Sequence, residues 1–561
     1  MPDIGVFRTG HVDTFCEDHL PPADLRPMRD WSGIPELAYP ARLNCAAELL
    51  DGMVEAGGGE RLVFRFPGGS WTYRHLMGTA NRIAHVLVED LGVVPGNRVL
   101  LRGPNNPMLA ACWFGVLKAG GVVVCTMPLL REREIRYLAD KAEITLALTD
   151  SRIAADCQSG FRTRRDGSRR EAARVVEFST DVQAEPASGR TSPDNSFESL
   201  IRDKPASFTN CDTDAEDIAI IAFTSGTTGE GKGTMHSHRD IMAITDCFPR
   251  YVLKPSGDDI FCGSPPLAFT YALGGLLLFP MRFGACSLLL EQATPPNLID
   301  AIQEYRPTIC FTAPTAYRAM CGMLDKHDVS SLKKCVSAGE TLPLTVFESW
   351  ERATGMRIID GIGATEMLHI FISSADDDIR PGATGKVVPG YQAKILDDDD
   401  DDAPVGTIGR LAVRGPTGCR YLDNLEQQRK YVHDAWNLTG DSYLLDADGY
   451  FWYQARSDDM IISGGYNIAG PEVENVLLEH ESVLECAVIG EPDEQRGHVV
   501  KAVIVLREGH MPSDVLAKEL QDFVKARIAP YKYPRRIEFA ARLPRTSTGK
   551  LQRYRLREIV Q

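Results

Sequence analysis

"TSGTTGEGKG", residues 224–233, decides how this chain is read. From Gly226 it spells Gly-x-x-x-x-Gly-Lys, a phosphate-binding P-loop up to Lys232, but Gly233 stands where that loop requires Ser or Thr. A P-loop cradles phosphates with backbone N–H groups at a helix N-terminus, and its hydroxyl holds magnesium. Here the magnesium position is vacant, while Thr224, Ser225, Thr227 and Thr228 put hydroxyls before the lysine. The preceding "DIAIIAFTS" reads as a strand, and the following "GTMHSHRD" reads as a strand and turn before a helix resumes. That setting is wrong for a nucleotide-hydrolysing P-loop. A flexible loop of glycines, hydroxyls and one Lys suits a polyphosphate that is gripped and then released.

Outward from the loop, helix and strand patterns alternate. Leu76, Ala80, Ile83, Ala84 and Leu87 make an amphipathic helical stripe within residues 75–91. "NRVLL" reads as a strand, "PMLAACWFGVLKAG" as a helix and "GVVVCTMP" as a strand. This alternation implies an α/β fold of mostly parallel sheets covered by helices. The apolar runs at 108–130 and 271–290 are broken by Lys118 and by Pro280 and Arg282, so they read as buried helix–strand pairs rather than membrane spans. The polar stretch 151–212, with "RTRRDGSRRE", reads as a solvated insertion, and Asp397 to Asp402 as an exposed turn between strands. After Arg456, "ECAVIGEPD", "HVVKAVIVL" and "SDVLAKELQDFVKARI" read as two strands and a helix of a small α+β domain.

Bulk properties narrow the function. The 561 residues, 43% hydrophobic and 25% charged, suggest a globular chain of more than one domain. A net charge of −16 argues against a general nucleic-acid binder. The 14 cysteines include no C-x-x-C pair and no Cys/His set with zinc spacing, and "MPDIGVFRTG" lacks the basic and apolar regions of an export signal. A cytoplasmic chain with reduced thiols is expected.

Further segments give the loop its company: "SAGETLP" (337–343), "GIGATE" (361–366), "TGD" (439–441), "ARSDDMIISGGYNI" (455–468) and "PRTSTGK" (544–550). Together, in this order, they resemble the adenylate-forming (acyl-CoA synthetase, AMP-binding) superfamily. The family usually has Pro where Gly231 stands. The resemblance implies a large N-terminal domain, 1–455, with the acyl and ATP sites. It also implies a small mobile domain, 456–561, with a hinge at Asp458. The implied reaction joins a carboxylate to the α-phosphate of ATP, releasing pyrophosphate, before a thiol expels AMP.

Residue by residue, the resemblance assigns Thr224, Ser225, Gly226, Thr227, Thr228, Gly229 and Lys232 to the outer phosphates. Thr365 would meet the α-phosphate and Glu366 would hold magnesium, which favours a carboxylate plus substrate phosphates. Ala338, Gly339 and Glu340 would frame the adenine with Asp360, Gly361 and Ile362, where Ile362 replaces the family's usual Tyr by an apolar contact. Asp441 and Arg456 would take the ribose hydroxyls. Lys550 is the expected catalytic residue of adenylation, and Ser463, Gly464, Gly465 and Tyr466 would form the CoA channel after the small domain rotates.

"DGIGATEMLHIFIS" and "DDMIISGGYNIAGPEVE" are similar to the benzoate-CoA ligase branch, and "HVDTFCEDHLPP" and "YPARLNCAAELLD" to its 2-aminobenzoate-CoA ligases. The acyl pocket is expected around Phe269, Thr270, Tyr271, Gly363 and His369, with aromatic walls for a planar acid and Thr270, Tyr271 or His369 accepting from an ortho amine. The expected partners are therefore an aromatic acid, ATP and CoA, without nucleic acid or membrane. A homodimer is compatible with this. Two alternatives stay open at this level: loading of a carrier-protein pantetheine, and a nucleotide-binding protein without catalysis.

Overall fold

The computed structural model describes residues 9–179, 197–224, 231–456, 459–463, 466–493, 497–528, 532–545 and 551–558. Three sheets build the large N-terminal part. In the six-stranded one the order is Arg174–Phe178, Leu146–Asp150, Arg98–Arg102, Val122–Thr126, Ile218–Thr224, Lys232–Ser237, all parallel except the last pair. A nine-stranded sheet carries a parallel centre of Leu62–Phe66, Cys286–Leu288, Ile260–Gly263, Ile309–Thr312, Lys334–Ser337 and Ile358–Gly363. The third, antiparallel sheet runs through Gln392–Leu396, Ile408–Arg414 and Trp436–Leu445 to Phe451–Arg456.

Local chemistry sets the helices between them. Thr72 caps Tyr73–His85 by accepting from the His75 N–H, and the expected stripe of Leu76, Ala80, Ile83 and Ala84 is buried. Asn106 caps Pro107–Lys118, whose residues are buried on every side because it lies within the main core. Its one charge, Lys118, is fully buried and bonded at 2.5 Å to Asp51. Both long apolar runs thus resolve into buried helices and strands, and among the described residues no helix is long and apolar enough to cross a membrane.

The stretch 151–212 is not merely a solvated insertion. It holds the helix Ala154–Arg162 and contributes the edge strand Arg174–Phe178, in parallel register with Leu146–Asp150. Arg170 in its arginine cluster is buried and paired with Asp140. The edge position explains the polar composition, since only one side of such a strand is covered by a neighbour. The acidic run is the exposed turn expected, with Lys394 bonded to Asp402 and Arg410 to Asp400, each at 2.7 Å. All 14 cysteines are free and most are buried, as small apolar groups.

The smaller C-terminal domain has its own sheet, ordered Tyr466–Ile468, Ile461–Ser463, Gly497–Leu506, Val483–Asp493, with Arg536–Phe539 parallel to Gly497–Leu506. Helices Gly470–Leu478 and Asp514–Lys525 bury Val473, Leu477, Leu520 and Val524 against Val488 and Ile504. Asp458, the expected hinge, lies outside the described residues.

Candidate active site

The phosphate stretch joins two antiparallel neighbours. Thr224 ends one strand and Lys232 begins the next, and the two are opposed in register. The chain therefore turns back on itself and no helix follows the lysine, unlike in a P-loop. Ser225 to Gly229 lie outside the described residues. At Gly231 the backbone carbonyl accepts from the Tyr137 hydroxyl at 2.8 Å, and a Cβ there would sit 2.8 Å from the Thr224 carbonyl oxygen.

Lys232 Nζ donates to Gln427 at 2.8 Å and lies 5.9 Å from the ring centre of Tyr421. The Tyr421 hydroxyl donates at 2.5 Å to Glu366, and burial, followed by the charge of Glu366, pushes the phenol's pKa upward. Backbone pairing of Thr234 with Tyr421, and of Met235 with Arg420, locks that segment onto the lysine strand. Lys232 and Glu366 are thus brought together through one tyrosine.

Thr365 and Glu366 lie on the short turn Thr365–Met367. Buried His236 donates from Nε2 to the Thr365 carbonyl at 2.8 Å, and Thr417 donates to the Met367 carbonyl at 2.8 Å. These bonds hold a strained corner, because the next residue, buried Leu368, has φ of +70°. For a non-glycine residue such a conformation costs about 1–3 kcal/mol and persists only where its surroundings enforce it.

Ala338, Gly339 and Glu340 follow the strand Lys334–Ser337, and Asp360 to Ile362 belong to the adjacent strand, with Ser337 opposite Asp360. Burial pushes the Asp360 carboxyl up to about 8, against the stabilising Gly361 N–H, and Oδ1 has no partner among the described residues. The Glu340 carboxyl is also raised by desolvation, opposed by Arg545 and Thr315. Asp441 and Arg456 face each other across two strands and bond at 3.0 Å. Lys550 lies outside the described residues, but the residues flanking its loop, Arg545 and Leu551, pair with each other, and Arg545 lies 3.7 Å from Glu340. Ser463 pairs with Tyr466 and Gly497 inside the small domain, and Gly464 and Gly465 lie outside the described residues. Strand pairing does not join this segment to the nucleotide residues.

The expected acyl segment forms an aromatic cluster. His369 is buried, with ring centres of Phe279 at 4.5 Å, Tyr271 at 5.8 Å and Phe248 at 5.9 Å, and Tyr271 lies 5.6 Å from Phe311. The Tyr271 hydroxyl donates to backbone carbonyls of Val336 and Thr312 at 3.0 and 3.3 Å. Burial lowers the His369 pKa to about 3, so the ring is neutral. Its Nε2 donates to the Tyr271 carbonyl at 3.2 Å, which leaves Nδ1 as a bare acceptor without a partner among the described residues. Gly274 makes room for this ring, since a Cβ there would meet His369 Cδ2 at 2.3 Å. Phe269 and Thr270 are half-buried at the start of the same segment, and Gly363 is exposed, where a Cβ would lie 2.8 Å from the His369 backbone.

The family described as AMP-binding enzyme matches residues 54–421, and its C-terminal domain matches residues 472–550. The chain belongs to the AMP-binding enzyme family. It is 34% identical to the benzoate–CoA ligase of Thauera aromatica over 93% of this chain and 97% of that protein. It is similar to the crystal structure of the anthranilate CoA ligase AuaEII in complex with anthranoyl-AMP, at 34% identity and TM-score 0.85, covering 94% of this chain and 99% of that one. A benzoate CoA ligase from Burkholderia xenovorans aligns at 31% identity and TM-score 0.81, over 92% of this chain and 100% of that one. The benzoate-CoA ligase branch read from the sequence is therefore borne out.

Within this AMP-binding fold, sequence reading missed Tyr421 and Gln427 beside the phosphate strand, His236 within it, and Phe248, Phe279 and Phe311 beside His369. Tyr421 and Gln427 are distant along the chain from Lys232, His236 from Thr365, and the three phenylalanines from His369, and none carries a local signal.

Proposed function

We propose that this protein is an ATP-dependent aryl-CoA ligase that acts on 2-aminobenzoate. The acid attacks the α-phosphorus of ATP, giving aryl-adenylate and pyrophosphate. The CoA thiol then attacks the adenylate carbonyl and expels AMP. The observation that carries the aryl reading is the ring cluster around a neutral His369. Its flat apolar faces suit a planar acid, and bare Nδ1 suits the N–H of an ortho amine, which otherwise would be buried unpaired. The likeness to an anthranilate ligase structure supports the same substrate. The relatives named above are CoA ligases, which favours free CoA over a carrier-protein thiol.

In this reading Lys232 and the hydroxyl loop neutralise the outer phosphates, Thr365 meets the α-phosphate, and Asp441 with Arg456 binds the ribose. Ala338 to Glu340 and Asp360 to Ile362 flank the adenine. Glu366, a single carboxylate beside the phosphate strand, fits a magnesium ion that takes its other oxygens from phosphates and water. That ion would supply charge neutralisation at the phosphates. Lys550 stabilises charge developing between carboxylate and α-phosphate, then withdraws as the small domain turns about Asp458 and brings Ser463 to Tyr466 to the thiol path. We infer a cytoplasmic location, supported by the free cysteines and by the co-substrates ATP and CoA.

A panel of carboxylic acids with ATP, magnesium and CoA, scored for AMP and thioester, tests the reaction. Highest kcat/KM for 2-aminobenzoate is expected, and loss of that preference over benzoate in His369→Ala. AMP without thioester would refute CoA as acceptor. Unaltered adenylation by Lys550→Ala would refute its role.

A further inference from the structure

One group of charges crosses between the two domains. Arg318, on the large-domain helix Pro314–Cys321, donates to the Leu484 carbonyl at 3.4 Å and lies 4.0 Å from Glu485. Glu485, on the small-domain strand Val483–Asp493, accepts from Arg545 at 2.6 Å. Arg545 in turn lies 3.7 Å from Glu340 of the large domain. The four charges alternate in sign and cross the domain boundary twice. Their side chains are only 16–31% exposed, so solvent screens them less than it would surface pairs.

The two ends of this network are informative. Glu340 sits in the 338–340 segment, and desolvation makes its carboxylate costly unless a cation stands beside it. Arg545 precedes the 546–550 loop and pairs with Leu551 on its far side. Holding Arg545 against Glu340 and Glu485 therefore holds both ends of the Lys550 loop against the large domain. The segment Ser463–Tyr466 belongs to a separate hairpin of the small domain and takes no part.

We propose that Arg545 is a positioning residue for adenylation, acting with Arg318, Glu485 and Glu340 to dock the small domain in the orientation that presents the Lys550 loop. This rests on the ligase reading above. The network serves the first half-reaction alone, because it must break before the small domain can turn for thioester formation.

The test measures the half-reactions separately in the full chain: pyrophosphate exchange with ATP and acid, and thioester formation from supplied aryl-adenylate and CoA. Arg545→Gln and Arg318→Gln are each expected to slow exchange about fivefold, the effect of one partly buried ion pair. Thioester formation should stay within about twofold of wild type or rise, showing that the variants fold. Arg545→Lys should recover most of the exchange rate. The double variant should lose less than the product of the single losses, because both arginines act through Glu485. Equal slowing of both half-reactions, or unchanged exchange in Arg545→Gln, overturns the proposal. Absence of wild-type exchange with every acid would instead refute the ligase reading. Limited proteolysis then decides the docking by itself: faster cleavage at the 456–459 connection in Arg545→Gln upholds it, and an unchanged rate overturns it.

Discussion

Replacing Asp360 by Asn tests whether desolvation governs the segment assigned to the adenine. The carboxyl has an ordinary pKa of 3.8 and is pushed up to about 8 in the folded chain, with burial as the largest cause. A raised folded pKa gives a definite sign. The folded state holds its proton where the unfolded chain has already lost it. The stabilising contribution is thus fully present below 3.8 and is lost as pH rises through about 8. At ~1.4 kcal/mol per pH unit the interval corresponds to ~6 kcal/mol. Partial solvent access to this half-buried side chain brings the expected loss to roughly 2–3 kcal/mol. Asn keeps the shape and carries no charge, so the variant should escape this loss. Thermal melts at pH 5, 7 and 9 are the assay. Wild type should fall relative to Asp360→Asn by ~2–6 °C as pH rises to 9, allowing about 1–2 °C per kcal/mol for a chain of this size. Parallel pH profiles for the two proteins would refute the reasoning, and a wild type that gains on the variant with rising pH would reverse its sign.

Tyr421→Phe removes the donor to Glu366, a hydrogen bond to a charged group worth about 1.5–3 kcal/mol. Melting temperature should fall by ~2–6 °C and pyrophosphate exchange ~10- to 100-fold, and equal exchange would sink the assignment. Gly231→Pro restores the family's usual residue, yet its Cβ would approach the Thr224 carbonyl to 2.8 Å. Relieving that overlap costs about 1–3 kcal/mol, so KM for ATP should rise roughly tenfold, measured by steady-state kinetics; a lower KM would contradict this geometry. His369 and His238 are both held near a pKa of about 3 by burial, below the ordinary 6.5. Depressed values mean stability present above 6.5 and lost as pH falls toward 3. His369→Leu should therefore lose less stability than wild type between pH 7 and 5, read by urea melts.

The sequence by itself determined the alternation of helix and strand, the strands on either side of the phosphate loop, the two-domain organisation and the family. These rest on periodicity and on ordered motifs, which are local along the chain. Gly233 in place of a hydroxyl, together with the strand and turn that follow it, argued against a P-loop, and the antiparallel pairing of Thr224 with Lys232 gives the reason. The sequence misread residues 151–212, because an edge strand and a buried arginine look polar until their partners are known.

Only the tertiary structure decided what supports the site. Tyr421 meets Glu366 from 55 residues away, and His236 meets Thr365 from 129. Side-chain hydrogen bonds onto the turn Thr365–Met367 make those contacts, and no local pattern encodes them. The same holds for His369. Its sequence context made it one of three candidate acceptors, and burial and one bond to Tyr271 leave it neutral with a bare Nδ1. A side chain's type is written in the sequence, but its protonation and its unspent hydrogen bonds depend on neighbours that only folding supplies.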